Sequence, residues 1–302
     1  MFDTVVLKAR PIHIESEVLL SQKNCKSVTL VDVTTGALIT KYEIYDEQLP
    51  YIKYLDSSRT LSIQVSIPKL LYGNNVTLTT EQDILDFFSS VQRRIGELFT
   101  IYIPHSEWLV TRSDVCWNFQ VGKNVRDYIR MLSKQKLAFK TTKSYNQDQT
   151  VEFYNKSSRI MFYDKHEQLQ TEKVSADLLD HSKGILRLEI NPSYSDMKKF
   201  STTKNAVELL KKPFFDYMTN KVLNEIDYPS VVSNISFSWL NENKESITKI
   251  ETLLGFQKMQ NMFDESVLKQ VYTSSTYANR KTLAKKMTIP TGNCLEPLVI
   301  NQ

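Results

Sequence analysis

Two apolar segments of this 302-residue chain each carry an arginine and a carboxylate two positions apart, and this pattern constrains the fold most. Arg112 and Asp114 lie in the first segment, and Arg187 and Glu189 lie in the second. Side chains two apart in a β-strand share one face, so both segments predict strands with one polar and one apolar face. Charged groups in such strands are costly unless they are paired or bind a ligand.

The order of β-branched runs and helical periodicities predicts the fold class. Strands are predicted at residues 4–8, 28–33, 61–67, 109–119, 151–154, 159–163 and 184–190. A long helix with Thr80 as its N-cap is predicted over residues 80–98. Further helices are predicted at residues 203–212, 214–226, 245–255, 264–272 and 275–287. We therefore predict an α+β protein, with an antiparallel-sheet domain over residues 1–200 and a mostly helical region over residues 201–302.

The composition argues against several functional classes. With seven glycines and no glycine-rich phosphate-binding motif, the chain is not expected to use a nucleotide. Its three cysteines and four histidines are scattered, so they predict neither a zinc site nor a disulfide framework and favour a reduced, cytoplasmic location. No run approaches the roughly 18–20 apolar residues that cross a bilayer, so no membrane partner is expected.

Positive charge is concentrated in two segments. Residues 121–145 carry one acid, Asp127, and a basic set comprising Lys123, Arg126, Arg130, Lys134, Lys136, Lys140 and Lys143. Apolar positions at helical spacing predict an amphipathic helix there, followed by a polar loop over residues 141–149. Residues 265–290 carry Lys269, Arg280, Lys281, Lys285 and Lys286. Each segment could be a solvated helix face, but the two together favour phosphate binding, with Lys134, Arg280, Lys281 and Lys285 as candidates.

The charged strand positions have two interpretations. In the simpler one, Arg112, Asp114, Arg187 and Glu189 form ordinary arginine–carboxylate pairs across neighbouring strands. In the functional one, the two carboxylates converge on a hard divalent cation, Mg²⁺ or Mn²⁺, while the arginines neutralise a nearby phosphate.

Tyr163 is a candidate nucleophile. It ends a predicted strand on the same face as Arg159, and Asp164 is predicted to begin a helix that includes Lys165. A cation beside the phenol favours the phenolate, which could attack a phosphodiester and leave a covalent phosphotyrosine. The alternative is an aromatic core residue at the end of a strand.

Taken in order, these segments resemble the replication initiator of filamentous phages, the gene II protein, and its relatives in phages and rolling-circle plasmids. The likeness covers about residues 1–200. It rests on residues 1–7, 66–75, 111–114, 150–151, 158–159, 162–166 and 186–189. Each motif is short, and their shared order and spacing carry the specificity.

The resemblance implies a Rep/relaxase-like nickase that binds a double-stranded origin, cleaves one strand through a 5′-phosphotyrosine and later rejoins it. If the roles of the family's residues are assigned to the matching positions of this chain, Tyr163 is the nucleophile, and Lys165 stabilises the phenolate or the phosphate. Asp114 and Glu189 become the metal ligands. The phosphate-binding residues are then Arg112, Arg187 and Arg159. Single-stranded and double-stranded origin DNA, a host helicase and a DNA polymerase are the implied partners.

One departure from the family leaves the third metal ligand open. The family has Gly-His-Asn where this chain has Gly73, Asn74 and Asn75. His166, Glu167 or Glu152 could supply the ligand, and His166 is the candidate that we carry forward.

Two other functions stay open: a non-catalytic DNA-binding replication regulator and a conjugative mobilisation relaxase. The ordered Arg-x-Asp, Tyr-x-Lys and Arg-x-Glu set favours an enzyme over the regulator, because a pure binder needs none of these residues. The missing paired-histidine motif counts against the relaxase.

The C-terminal region contains a candidate helix-turn-helix. Residues 264–272 and 277–287 predict two helices, and residues 274–276 predict the polar turn between them. The basic second helix could enter the DNA major groove. The usual glycine in the turn is absent, and a basic helix that closes the helical region is the alternative.

Overall fold

The computed structural model describes residues 1–146, 148–172, 174–228, 237–287, 289 and 295–300. The chain forms two compact units, the first of Met1–Asp227 with the segment that begins at Pro297, and the second of Tyr228–Glu296. The predicted boundary between catalytic and DNA-binding regions at residue 200 stays a prediction, and the first compact unit continues past it to Asp227.

The first unit is built on a ten-stranded sheet. Its strands are β1 (Phe2–Ala9), β2 (Cys25–Val31), β3 (Leu38–Ile44), β4 (Tyr51–Leu55), β5 (Thr60–Ser66), β6 (Leu109–Gln120), β7 (Thr141–Tyr145), β8 (Thr150–Tyr154), β9 (Arg159–Asp164) and β10 (Ile185–Asn191). They are ordered β2-β3-β4-β5-β1-β6-β10-β9-β8-β7, and each neighbouring pair is antiparallel. The predicted α+β class with an antiparallel sheet is confirmed.

The described helices of this unit are mostly short. They are α1 (Ser16–Leu20), α2 (Ile67–Tyr72), α3 (Glu81–Phe99), α4 (Val125–Ser133), α5 (Lys165–Gln170), α6 (Ala176–His181), α7 (Tyr194–Phe200), α8 (Ala206–Leu209) and α9 (Lys212–Leu223). The predicted long helix is α3, and Thr80 caps it as expected. The Thr80 side chain accepts from the Asp83 backbone N–H, and Asp83 accepts from the Thr80 backbone N–H at 2.6 Å.

The central strands bury an apolar face, as the alternation predicts. Leu188 of β10 is fully buried and lies opposite Trp117 of β6 and Phe162 of β9. Burying one such leucine contributes about 1.5–3 kcal/mol. Because side chains alternate, this packing turns Arg187 and Glu189 of β10 to the other face of the sheet.

The prediction of a polar loop over residues 141–149 is wrong for its first five residues, and residues 146, 148 and 149 form a turn. Thr141–Tyr145 forms β7, the last strand of the sheet, and its residues pair with Thr150–Tyr154. The segment is polar because an edge strand exposes its side chains, and its threonines suit extended backbone.

The prediction of one helix over residues 203–212 is also wrong. Helix α8 ends at Leu209, and α9 begins at Lys212 with Pro213 in its first turn. A proline has no backbone N–H, so it fits the first turn of a new helix and not the interior of a continuing one.

The described part of the second unit is helical, with α10 (Phe237–Glu242), α11 (Ile247–Met262), α12 (Glu265–Val271) and α13 (Ser274–Lys286). Phe256, Leu268 and Tyr277 pack together in its core. The predicted turn at residues 274–276 is wrong, because Thr273 accepts a hydrogen bond from the Thr276 N–H and starts α13 there. The helix-turn-helix is not confirmed and stays a prediction.

In the described part of the chain, no helix has the length and apolar character needed to cross a membrane.

Candidate active site

The sheet brings Tyr163 and Glu189 together on its polar face. Tyr163 of β9 lies opposite Arg187 of β10, and Glu189 lies opposite Met161 of β9. The Tyr163 hydroxyl donates a hydrogen bond to Oε2 of Glu189 at 3.3 Å. Both side chains line a cleft of about 470 Å³, which we call the acidic cleft, and the Tyr163 residue is only 9% exposed. A carboxylate is therefore the immediate proton acceptor of the phenol.

Asp114 is buried next to this pair. Arg112 donates to its two carboxylate oxygens at 2.9 and 2.6 Å, and Asn191 donates to Oδ1 at 2.8 Å. Burial raises the pKa of Asp114 although Arg112 opposes the shift. Burial, and after it the negative charge of Asp114, raises the pKa of Glu189. Glu189 is therefore a stronger base than an exposed glutamate.

Arg187 is fully buried, and its main partner is a residue that the sequence patterns missed. It donates to Oδ2 of Asp3 at 2.6 Å, to the Asn75 carbonyl at 3.0 Å and to Oδ1 of Asn118 at 3.1 Å. The sequence signal for Asp3 is its place in the opening segment that resembles the family. Cross-strand pairing thus occurs at Arg187 with Asp3, whereas Arg112 pairs along its own strand.

Asp164 begins α5, as predicted. Its carboxylate accepts from the backbone N–H groups of His166 at 3.0 Å and Glu167 at 3.3 Å. This N-cap ends β9 directly after Tyr163 and makes Lys165 the first residue of the helix. The short link explains why the tyrosine and the lysine are neighbours in space as well as in sequence.

Lys165 is fully buried beside the tyrosine. Its Nζ donates to Oδ1 of Asn75 at 2.9 Å and to Oε1 of Gln168 at 2.8 Å. The same nitrogen lies 5.9 Å from the centroid of the Tyr163 ring. Burial, and after it the positive charge of Arg187, lowers the pKa of Lys165 to about 8. The amine can therefore gain or lose a proton near neutral pH.

The protonation of Tyr163 differs from the sequence expectation. We expected the lysine cation to favour the phenolate, but burial raises the pKa of Tyr163 well above its usual value, and Glu189 adds to the shift while Arg187 opposes it. In this arrangement the neutral phenol is the favoured form.

The structure does not bring His166 to the two carboxylates. Its Nδ1 lies 3.0 Å from the Leu179 carbonyl and 3.1 Å from the Ser182 hydroxyl, and its Nε2 lies 3.0 Å from Gln170. These contacts turn the ring towards α6.

Within the described residues, no three His, Cys, Asp or Glu side chains group in a way that could hold a metal ion. Asp114 and Glu189 remain as hard oxygen donors of the kind that Mg²⁺ prefers.

The other ligand candidates have partners of their own. Glu152 pairs with Arg159 and accepts from the Tyr145 hydroxyl at 2.8 Å. Glu167 pairs with Arg126 at 3.0 Å and lines the acidic cleft. At the position where the family has histidine, Asn74 accepts hydrogen bonds from Val76 and Thr77 in its own loop.

Four further phosphate-binding candidates lie on α13 and at the end of α4. Lys134 is exposed directly after α4. Arg280, Lys281 and Lys285 lie on α13 of the second unit, where Lys281 pairs with Glu265 at 2.8 Å. The structure therefore groups Tyr163, Lys165, Asp114, Glu189, Arg112 and Arg187, and Arg159 lines a groove together with Arg112 and Glu189.

Comparison with known protein families gives a match over most of the first unit. A family model for the N-terminal part of the gene II replication-associated protein matches residues 1–211. No curated protein matches the chain. The matched region contains the whole ten-stranded sheet and both carboxylates beside Tyr163. Replication initiators act on origin DNA, so origin DNA is a partner of this chain. The chain belongs to the filamentous-phage gene II family of replication initiators.

Proposed function

We propose that this replication initiator nicks and rejoins one strand of origin DNA through a covalent bond to Tyr163. The observation that carries the proposal is the buried phenol that donates to Glu189 inside a cleft flanked by Asp114, Lys165 and Arg187. Nucleophilic catalysis requires a nucleophile within hydrogen-bond reach of a base, and this pair meets that requirement.

The forward reaction begins with transfer of the Tyr163 proton to Glu189. The phenolate oxygen forms a bond to phosphorus, and the bond between phosphorus and the 3′ oxygen of the preceding nucleotide breaks. The 3′ oxygen leaves with a proton, and the 5′ phosphate stays on the tyrosine. Rejoining reverses these steps, since a 3′ hydroxyl attacks the phosphotyrosine and the phenol recovers its proton from Glu189.

Lys165 has the role of proton donor to the leaving 3′ oxygen. Its pKa of about 8 keeps much of the amine protonated at neutral pH while leaving it acidic enough to donate. Arg112 and Arg187 add positive charge next to the phosphate, as the cations of phosphoryl-transfer sites do.

A hard divalent cation, Mg²⁺ or Mn²⁺, fits the chemistry of the site. Asp114 and Glu189 are the residues that would hold it, together with oxygens of the DNA phosphate, which is a common arrangement for Mg²⁺. When bound there, such a cation would supply Lewis-acid polarisation of the scissile phosphate.

The priming of synthesis from the free 3′ end brings in the further partners. Both are proposals that rest on the family: a host helicase, which would separate the strands, and a host DNA polymerase, which would extend the 3′ end. Single-stranded DNA is the form in which the scissile phosphate would reach the cleft.

The test is a cleavage assay on single-stranded origin DNA with Mg²⁺ or Mn²⁺, resolved on a denaturing gel that separates free DNA from protein–DNA adducts. The parent chain is expected to form a metal-dependent adduct, and Tyr163→Phe is expected to form none. Tyr154→Phe is the matched control, because Tyr154 lies on β8 of the same sheet and is 36% exposed.

Two results would contradict the proposal. An adduct that survives Tyr163→Phe would move the nucleophile to another tyrosine. Tight origin binding by the parent chain without cleavage or adduct would favour the non-catalytic regulator, and the buried arginine–carboxylate contacts would then be structural.

A further inference from the structure

A second cleft lies on the polar side of the sheet, over β1, β4 and β5, and no function is yet assigned to it. Its volume is about 800 Å³. Its basic lining residues, which define what we call the basic cleft, are Lys8, Arg10, Lys41, Lys53 and Lys204. Among the described residues that line it there is no aspartate or glutamate. A concave surface with one sign of charge attracts a polyanion.

Much of this charge is not neutralised by the protein. Lys8 and Arg10 are exposed, and neither forms an ion pair with an acid in the described part of the chain. Lys41 and Lys53 share one carboxylate, Glu43, at 2.5 and 3.8 Å. The basic cleft therefore keeps a surplus of positive charge.

Aromatic side chains stand among these cations. Tyr194 is 54% exposed, and the Nζ of Lys204 lies 4.4 Å from the centroid of its ring. Tyr51 also lines the cleft, with Lys53 4.6 Å from its ring centroid. Tyr194 is exposed and Tyr51 is half-buried. Tyrosines between cations suit unstacked bases, because a base can stack on the ring while the cations bind its phosphates.

Paired residues of β1 and β6 connect the basic cleft with the groove beside Glu189. Val6, which lines the basic cleft, lies opposite Arg112 of β6, and Arg112 lines a groove that also contains Glu189. Strand β1 is separated from the tyrosine strand β9 by β6 and β10. Three strand spacings of about 4.8 Å separate the two strands by about 14 Å. Along the strands, Tyr163 is level with Asn118 of β6 and Lys8 is level with Leu109, an offset of nine residues or about 30 Å, so several nucleotides are needed to span the distance.

We propose that the basic cleft binds the single-stranded DNA that flanks the scissile phosphate and holds it while the acidic cleft performs the chemistry. This inference rests on the proposed nicking function only for the position of the scissile phosphate. The ligand is a single-stranded polynucleotide, with phosphates on Lys8, Arg10 and Lys204 and bases on Tyr51 and Tyr194.

The test measures binding without cleavage. Full-length Tyr163→Phe protein is titrated against fluorescein-labelled oligothymidylate at several salt concentrations, and anisotropy gives the dissociation constant. The test variant adds Lys8→Gln, Arg10→Gln and Lys204→Gln. A matched control adds Lys23→Gln, Arg93→Gln and Lys183→Gln, which remove the same number of lysines and arginines from exposed positions outside the cleft.

The test variant is expected to bind at least about tenfold more weakly at low salt, and the slope of log K against log salt is expected to fall by about 2. That value follows from about 0.7 per phosphate contact with a single strand. The control is expected to match the Tyr163→Phe parent. Equal slopes in the test and control variants would overturn the proposal, and a loss confined to duplex DNA of the same sequence would overturn the single-strand assignment.

Failure of the nicking function would be seen separately. The parent chain could form no adduct with origin DNA while the test variant still shows the smaller salt slope. In that case the proposal of single-strand binding by the basic cleft is retained and the nicking proposal fails. Thermal unfolding of both triple variants checks that the exposed substitutions leave the fold intact.

Discussion

The two clefts of the sheet differ in charge and in burial. The acidic cleft is lined by Asp3, Asp164, Glu167 and Glu189, with Lys69 as the one basic side chain among its described lining residues. The basic cleft has five cations and, among its described lining residues, no acid. An acidic cleft repels a DNA backbone, so it cannot supply the affinity for its own substrate. On the two proposals, binding and chemistry are divided between different parts of one sheet.

Burial separates the two clefts further. In the acidic cleft, burial shifts the pKa of Tyr163, Glu189 and Lys165 in the directions that disfavour charge. In the basic cleft, Lys8 and Arg10 are exposed to solvent and remain available to a ligand. Substitutions in the acidic cleft should therefore change reaction rate or stability, whereas substitutions in the basic cleft should change affinity and its salt dependence.

The largest expected effect is that of Glu189→Gln. The amide cannot take the Tyr163 proton, so the rate of adduct formation should fall by about 10²–10⁴-fold. In the absence of divalent metal, single-strand affinity should be kept or improved, because a negative charge is removed. Single-turnover adduct formation at saturating DNA measures the rate. Glu167→Gln, in the same cleft but paired with Arg126, is the control, and equal rates for the two variants would remove Glu189 from the role of base.

A stability effect comes next, at Asp3→Ala. Asp3 is the carboxylate partner of the fully buried Arg187 at 2.6 Å, and breaking a buried pair from one side costs about 3–5 kcal/mol. Urea unfolding of the full chain measures the loss. Asp180→Ala breaks the exposed pair with Lys183 and should leave stability unchanged. A small loss for Asp3→Ala would mean that Arg187 finds a new partner within the cleft.

Glu189 and Asp3 show how much of the site can be predicted from the sequence. Strand alternation placed Arg187 and Glu189 on one face of β10, and the structure agrees. Alternation gives no information about which strand lies next in the sheet, because strand order depends on contacts between distant segments. Asp3 lies 184 residues before Arg187, so their pairing could not be read from a local pattern.

The same limit explains His166 and the polar edge strand. His166 lies in the first turn of α5, close to Tyr163 along the chain, which makes it a reasonable candidate ligand. However, α6 packs beside α5, and the His166 ring contacts the Leu179 carbonyl of α6. The polar segment Thr141–Tyr145 has weak strand signals, and it becomes a strand because β8 supplies backbone partners. In both cases a tertiary neighbour decided the local outcome.

The pH dependence of the rate of adduct formation tests the role of Lys165. Its pKa is lowered to about 8, so the amine loses its proton as the pH rises through that value. If the protonated amine assists the leaving oxygen, the rate of adduct formation should fall about tenfold per pH unit above about 8. Deprotonation of Tyr163 would change the rate in the opposite direction, so the sign of the alkaline limb distinguishes the two groups. Lys165→Met should react slowly and lack this limb, as measured by single-turnover rates against pH.

The smallest expected effect tests the basic cleft alone. Tyr194→Leu removes a ring that is 54% exposed beside Lys198 and Lys204 but leaves both cations in place. Loss of one stacked base costs about 1–3 kcal/mol, so single-strand affinity should fall at least about fivefold. The salt slope should stay the same, because no phosphate contact is lost.

The matched control for this substitution is Tyr102→Leu, since Tyr102 is 73% exposed and does not line the basic cleft. Anisotropy titration with oligothymidylate measures affinity, and adduct formation at saturating DNA measures the chemical step. If Tyr194→Leu slowed the chemical step at saturation, the two clefts would act as one site and the division between binding and chemistry would be wrong. An unchanged step with weaker binding separates them, because affinity lost in a region that only holds the strand is recovered when the DNA concentration is raised.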